Sequence, residues 1–443
     1  MTGDPGPRSR VPVLLVVIGL LLAVFAVVGY LGSRDDTAAP SAGTAAEPAA
    51  RASALDTFIY GAQESLRRKS EDAPLWAQLG AAYVEQARIT GDPSYYARSQ
   101  GALERSLEIT PEGNGEALIG LGQLANARHD FAAARAFGEQ ARTLRPYTAE
   151  VYGVLADAYT QLGDAEAATA TVQSMLDLRP GLAAFTRASY DLELNGRRDD
   201  ARMALERALA VASSLDDQAF CRYYLGELAW NGGAVDEASE QYEQGLQAAP
   251  QNVALLQGRA KVAYAQGRVD EAIAGFQAIT TRSPLPQYLL EYGELLEAAG
   301  RPDEAASQYE VLAVQQQLYA AQGSTDDQVA ALVAADHGDP GEALTLAQAE
   351  WDRRQSVFSA DALSWALHVN GRDAEALTYA ERAASLGWAN PTYSFHRGMI
   401  LAALGRRDDA LAALNEALTL NPHFNPLQAP VARATIADLE SNS

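Results

Sequence analysis

The chain has 443 residues, 57 acidic against 34 basic, with a formal net charge of −23 and one cysteine. So acidic a surface disfavours nucleic acid, which needs a cationic face to displace counterions, and favours partners carrying a basic segment. A lone cysteine, Cys221, excludes an intramolecular disulfide and a thiolate metal cluster, and beside Phe220 and Tyr223 it reads as a small core residue.

In chain order, a short tail (1–10) precedes an uncharged apolar run from Val11 to Gly32, about the length that spans a bilayer as a helix. It exceeds the apolar core of a signal peptide and no clear cleavage site follows closely, so an uncleaved transmembrane helix over 11–32 is expected, with a removed signal peptide as the alternative. Arg8 and Arg10 precede the run, while Arg34 follows it beside Asp35 and Asp36. This charge bias predicts a single-pass cell-membrane protein with a cytoplasmic N-terminus and an extracytoplasmic body. Residues 33–54 are small, polar and proline-bearing, the composition of a flexible linker. Over 55–72 the spacing of Leu55, Phe58, Ile59, Ala62 and Leu66 predicts an N-terminal helix.

From residue 73 onward the chain repeats itself. One short phrase recurs in register as GDAEAA (163–168), GRRDDA (196–201), GAVDEA (233–238), GRVDEA (267–272), GRPDEA (300–305), GDPGEA (338–343), GRDAEA (371–376) and GRRDDA (405–410). Its glycines lie 33 to 38 residues apart, the period at which two-helix units stack into a solenoid. Glycine ends a first helix, A, in the left-handed conformation, and the acids that follow suit the positive N-terminus of a second helix, B. Pro302 and Pro340 stand where the first turn of helix B lacks nothing by missing an amide proton. The sixth position is alanine in all eight copies: Ala168, Ala201, Ala238, Ala272, Ala305, Ala343, Ala376 and Ala410. A methyl group there lets helix B approach helix A, and the Gly-to-Ala turns are expected to line up along one edge.

These residues resemble the tetratricopeptide repeat family, and within it membrane-anchored bacterial members. Residues 149–180 carry the similarity best, with Tyr152, Leu155, Ala156, Tyr159, Gly163, Ala168 and Pro180. Further units are 73–111 (Trp76, Leu79, Gly80, Tyr83), 115–146 (Leu121, Gly122, Ala134, Ala141), 219–250 (Leu225, Gly226, Tyr242), 253–284 (Phe276) and 391–422 (Gly398, Ala417). Weaker units fill 182–213, 286–317, 324–355 and 357–388, of which 324–355 departs most because its first helix lacks the Leu-Gly pair. The resemblance implies an all-α, right-handed α-solenoid of about ten stacked helix-turn-helix repeats over 73–422, preceded by one transmembrane helix. A capping helix and tail over 423–443, with Val431, Ile436 and Leu439 as its apolar stripe, completes it.

The resemblance also implies that helix A lines a concave face that receives a protein or peptide. Repeat register puts Arg187, Tyr190, Tyr223, Tyr224, Glu227, Trp230, Lys261 and Tyr264 toward that face, where aromatic residues are either binding anchors or seam packing. Phe358, Asp361, Trp365, His368 and Phe395 form a second cluster, groove or core. The family's Lys/Asn/Arg clamp for acidic chaperone tails is missing; the clamp positions read Ala77, Ala81, Ile119, Gln123, Gly153 and Asp157.

No motif calls for catalysis, metal or cofactor. GLGQLA (120–125) mimics a dinucleotide-binding turn but sits in a helical repeat rather than after a strand. His129, His337, His368, His396 and His423 are scattered without a second ligand at helical spacing, and Asp336–Asp339 reads as a helix end. The reading is therefore a membrane-anchored scaffold, not an enzyme, that binds a protein or peptide with a basic segment and no nucleic acid, with assembly of an envelope complex as its candidate setting. The alternatives are a ligand-sensing accessory subunit of a membrane enzyme or transporter, and a cytoplasm-facing adaptor.

Overall fold

A computed structural model describes residues 49–90, 92–321 and 327–441, all helical apart from turns and connections. The expected transmembrane run over 11–32 and most of the linker lie outside the described residues. Among those described, no helix is long and apolar enough to cross a membrane.

The helices are α1 (Ala49–Arg68), α2 (Ala73–Thr90), α3 (Ser94–Ile109), α4 (Gly115–Ala127), α5 (Phe131–Leu144), α6 (Ala149–Leu162) and α7 (Ala165–Leu178). Next come α8 (Leu182–Leu194), α9 (Arg198–Ala210), α10 (Leu215–Asn231), α11 (Val235–Ala248), α12 (Val253–Ala265), α13 (Val269–Arg282), α14 (Pro286–Ala298) and α15 (Pro302–Ala321). The rest are α16 (Asp327–His337), α17 (Pro340–Arg353), α18 (Val357–Val369), α19 (Asp373–Ala383), α20 (Pro391–Ala403), α21 (Arg407–Leu420) and α22 (Gln428–Ser441). From α2 to α21 they pair into ten antiparallel hairpins in an all-helical solenoid, successive hairpins packing on each other except that α14–α15 meets α16–α17 only through lighter contacts such as Tyr309 on His337.

The repeated phrase does what its chemistry requires. Gly163 closes α6 with φ of 82°, and its counterparts at Gly196, Gly233, Gly267, Gly300, Gly371 and Gly405 are also left-handed. Gly338 is the exception. There the Asp339 carboxylate accepts from the Glu342 amide at 2.8 Å and Pro340 starts α17 at once, so a left-handed residue is not needed. Every sixth-position alanine is buried, Ala168 at 2 % exposure and the other seven at 0 %. On the facing helix a second small residue admits the large one: a Cβ on Gly226 would lie 2.3 Å from the Tyr242 ring, which is itself fully buried.

The ends are capped by amphipathic helices. Leu55, Phe58, Ile59, Ala62 and Leu66 of α1 pack on Leu79, Ala82 and Tyr83 of α2. In α22 the buried stripe is Ala429 and Ala432, continued by Ile436 and Leu439; Val431, expected on that stripe, faces solvent because it falls between these positions. The mimic GLGQLA lies inside α4, with no strand before it.

The solenoid also closes on itself. Three successive hairpin turns, at Gly163, Gly196 and Gly233, abut three successive connections, at Gln355, Gly387 and Leu420. Side chains stitch this seam between residues 191 to 195 apart: Arg354 to Gln161, Trp388 to Glu193, and Asn421 to the Trp230 carbonyl at 2.8 Å. Three of the eight Gly-to-Ala turns thus lie in succession along the contact between consecutive superhelical turns.

Two pairs of substitutions test these points. Ala238→Leu should destabilise by about 1–3 kcal/mol through overpacking, whereas Ala170→Leu on an exposed face should stay within about 0.5 kcal/mol, read by urea denaturation. Gly233 and Gly267 share a left-handed backbone, but only at Gly233 does a Cβ meet the seam, 2.5 Å from the Leu420 carbonyl oxygen. Both alanine variants should therefore be destabilised by about 1–2 kcal/mol through conformational strain. Only Gly233→Ala should also enlarge the radius of gyration in solution scattering.

Candidate partner-binding cavity

The eight residues placed on the concave face by register do not share one environment. Arg187 is 4 % exposed; its Nε and Nη2 donate to the two carboxylate oxygens of Asp157 at 2.8 and 2.7 Å. Tyr190 stacks parallel on Phe358 across the seam, with ring centroids 6.4 Å apart. Tyr223 packs edge-on to Tyr224 and tilted against Tyr242 within the α10–α12 core. These four belong to the wall rather than to an open groove. Burial raises the pKa of the Tyr190, Tyr223 and Tyr224 hydroxyls, so they remain protonated throughout the accessible range.

The other four, Glu227, Trp230, Lys261 and Tyr264, line one inner cavity of about 350 Å³. Helices α10, α12 and α14 line it on one side; α16 of the next hairpin, α20, and residues 423–426 with Gln428 line it on the other. Glu227 accepts from the Tyr242 hydroxyl at 2.6 Å and from Lys261 Nζ at 2.8 and 2.9 Å. The Lys261 ammonium also lies 5.2 Å from the Trp230 ring centroid, a cation–π distance. Glu227 and Lys261 hold equivalent places in successive units, so the hairpin repeat itself brings them together.

Sequence reasoning missed the remaining lining groups: Glu291, Glu294, Asp336, His396, His423 and Phe424. Glu294 occupies the same repeat position as Glu227 and Lys261, one unit further on, and extending the register would have found it. Asp336 comes from α16, the first helix of the next hairpin, at the register position of Asn231; His396, His423 and Phe424 come from further along the array, and no periodicity along the chain announces them.

The lining is strongly acceptor-rich, with four carboxylates against the single Lys261 ammonium. Glu291 is held by Gln257 at 2.6 Å and Gln287 at 3.3 Å, both neutral donors. Glu294 accepts from Asn425 at 3.0 Å with His337 at 3.6 Å, and Asp336 accepts from the Trp365 indole at 2.7 Å. Burial pushes the Glu291 and Glu294 pKa values up, against the pull of Lys261 on the first and of nearby His337 on the second. His396 is 1 % exposed, stacks on Trp365 at 4.2 Å, and turns Nδ1 to Asp361 at 3.0 Å. Its Nε2 is buried without a partner. Phe358, Trp365 and Phe395 of the second sequence cluster are core, and Asp361 is the buried anchor of His396.

Among the described residues no three His, Cys, Asp or Glu side chains converge as metal ligands do. Cys221 is fully buried and its thiol is pushed up to about 12 by that burial, which suits packing and not nucleophilic chemistry.

Family profiles described as tetratricopeptide repeat match residues 149–181, 187–253, 258–324 and 391–424. Among solved structures the chain is similar to a thermophilic tetratricopeptide-repeat protein of Thermus thermophilus: 24 % identity over 42 % of this chain and 99 % of that one, TM-score 0.38. The human IFIT1 dimer with PPP-AAAA matches at 15 % identity over 82 % of this chain and 87 % of that one, TM-score 0.44. Yeast Tom70 matches at 12 % identity over 89 % and 94 %, TM-score 0.37. No curated sequence matches the chain.

The buried acids set a pH dependence of unusual sign. Asp157, Asp191, Glu193, Glu291 and Glu294 all have pKa values raised chiefly by burial. Between the ordinary carboxylate value and the raised folded one, the native state binds more protons than the unfolded chain. Stability therefore rises as pH falls through that window. His337 adds to the trend: burial pulls it down, but the neighbouring Glu294 carboxylate leaves it raised. His423, lowered by burial and Arg433, opposes it. The melting temperature should be higher near about pH 5 than near about pH 8, and Glu291→Gln should flatten the difference.

Proposed function

The chain carries tetratricopeptide repeats, and from that premise we propose a membrane-anchored scaffold whose inner face captures a basic segment of a protein partner during assembly of an envelope complex. One observation carries the reading: Glu227, Trp230, Lys261 and Tyr264 gather with Glu291, Glu294 and Asp336 around one aromatic-walled, acidic cavity. Aromatic side chains offer large contact area at small entropic loss, and excess carboxylate steers and selects a cationic segment. The formal charge of −23 raises the encounter rate with such a partner over the whole surface. The uncharged run over 11–32 supports the tether, and Arg8 and Arg10 before it support an extracytoplasmic body.

Alanine replacements at Tyr223 and Trp230 are poor probes, because both side chains are 6 % exposed and their removal excavates the core. Tyr264 is half-buried at the cavity and suits a photo-cross-linking side chain. In intact cells a cross-linker at 264 should join a discrete partner at a basic segment, and a reporter fused after Ser443 should be active outside the cytoplasm. Deletion of residues 11–32 should release the protein from the membrane fraction. Cross-links confined to lipid, or an unchanged fractionation on deletion, would remove the partner or the anchor from the reading respectively.

A further inference from the structure

We infer that the inner cavity is a binding site for a compact organic cation with several N–H donors, a guanidinium or alkylammonium head, supplied either by a small molecule or by a basic side chain. This rests on the reading of the inner face as the recognition surface, and adds the chemistry of what enters it.

The donor and acceptor inventory selects the ligand. Lys261 neutralises Glu227 at 2.8 and 2.9 Å, which leaves Glu291, Glu294 and Asp336 around the same space. Glu291 has no cationic hydrogen-bond partner, only the amides of Gln257 and Gln287, so its carboxylate keeps lone pairs for another donor. Independently of the acids, His396, a lining residue only 1 % exposed, carries a buried Nε2 without a partner. Its Nδ1 is committed to Asp361, so with the proton on Nδ1 the Nε2 is an acceptor awaiting an N–H. An anion would meet three carboxylates. A neutral polyol would hydrogen-bond and leave their charge uncompensated. A metal ion would need converging ligands, and no such group occurs among the described residues. The walls complete the match: Trp230, Phe276 and Phe424 offer ring faces, and the Lys261 ammonium 5.2 Å from Trp230 shows that one of them already accepts a cation. A volume of about 350 Å³ admits one such head with a short chain.

The test is calorimetric titration of the full-length protein in detergent micelles with agmatine, with spermidine, and with an arginine-bearing peptide against its citrulline counterpart. Binding of one cation per chain is expected, about tenfold weaker in Glu291→Gln and unchanged in Glu304→Gln on the outer surface. Glu291→Gln relieves a buried charge, so its melting temperature should hold or rise, and lost binding is then not lost folding. If the arginine peptide binds and the free amines do not, the head belongs to a partner's side chain. If only the free amines bind, the cation site stands and the protein-partner reading falls alone. The inference is overturned if none of the cations binds, if the citrulline peptide binds as well as the arginine one, or if Glu291→Gln leaves binding unchanged.

Discussion

A methyl group is the largest side chain that the crossing between paired helices tolerates here, and the architecture follows from that limit. All eight alanines at this position are at 2 % exposure or less. Because each crossing is equally tight, successive hairpins repeat nearly the same step, and a repeated step coils the array. The coil is tight enough that hairpin turns at Gly163, Gly196 and Gly233 reach the connections nearly 200 residues later. At those turns glycine answers two demands at once, a left-handed backbone and the close approach of a neighbouring carbonyl. Gly267 and Gly300 answer only the first.

Closure changes what the inner face is. In an open solenoid the A helices present a continuous trough, and every large residue on them is available to a partner. Here the same helices form a wall covered by the following turn, so Tyr190 meets Phe358 and the Trp230 carbonyl meets Asn421. Among the described residues, the space left to a ligand where the turns meet includes a discrete cavity between them. That favours recognition of a head group over recognition of a long extended segment. The seam is mostly polar: Arg354 to Gln161, Asn421 to a carbonyl, Trp388 to Glu193. Polar contacts of this kind fix register and return only about 0.5–1.5 kcal/mol each.

Much of this was legible from residues alone, and the boundary has a physical cause. The Gly-to-Ala phrase reports a local crossing, and a local crossing repeated in register specifies hairpins, their number and their stacking. Glu227, Trp230, Lys261 and Tyr264 were placed together because a repeat maps equivalent positions onto one line. His396, His423 and Phe424 were not, because they come from hairpins further along the array, and the number of repeats per turn depends on small rotations that no single phrase encodes. For Tyr190 the sequence left binding anchor and seam packing open, and its stacking on Phe358 from a distant hairpin was invisible to it. In α22 the error is smaller and purely angular, Val431 falling outside the stripe that Ala429, Ala432, Ile436 and Leu439 define.

The carboxylates around the cavity are hard to explain as a stabilising device. A buried ionised group without a well-matched partner weakens a fold, and apolar residues of similar volume usually serve it better. Glu227 is matched by Lys261, and Arg187 matches Asp157 in the wall, so the array has the means to pair its buried charges. At Glu291 it uses two neutral amides instead, and at His396 it leaves one ring nitrogen without a partner. Both residues line the same cavity of about 350 Å³. An incoming cation with N–H donors would complete both at once, and the energy withheld from folding would then appear as binding.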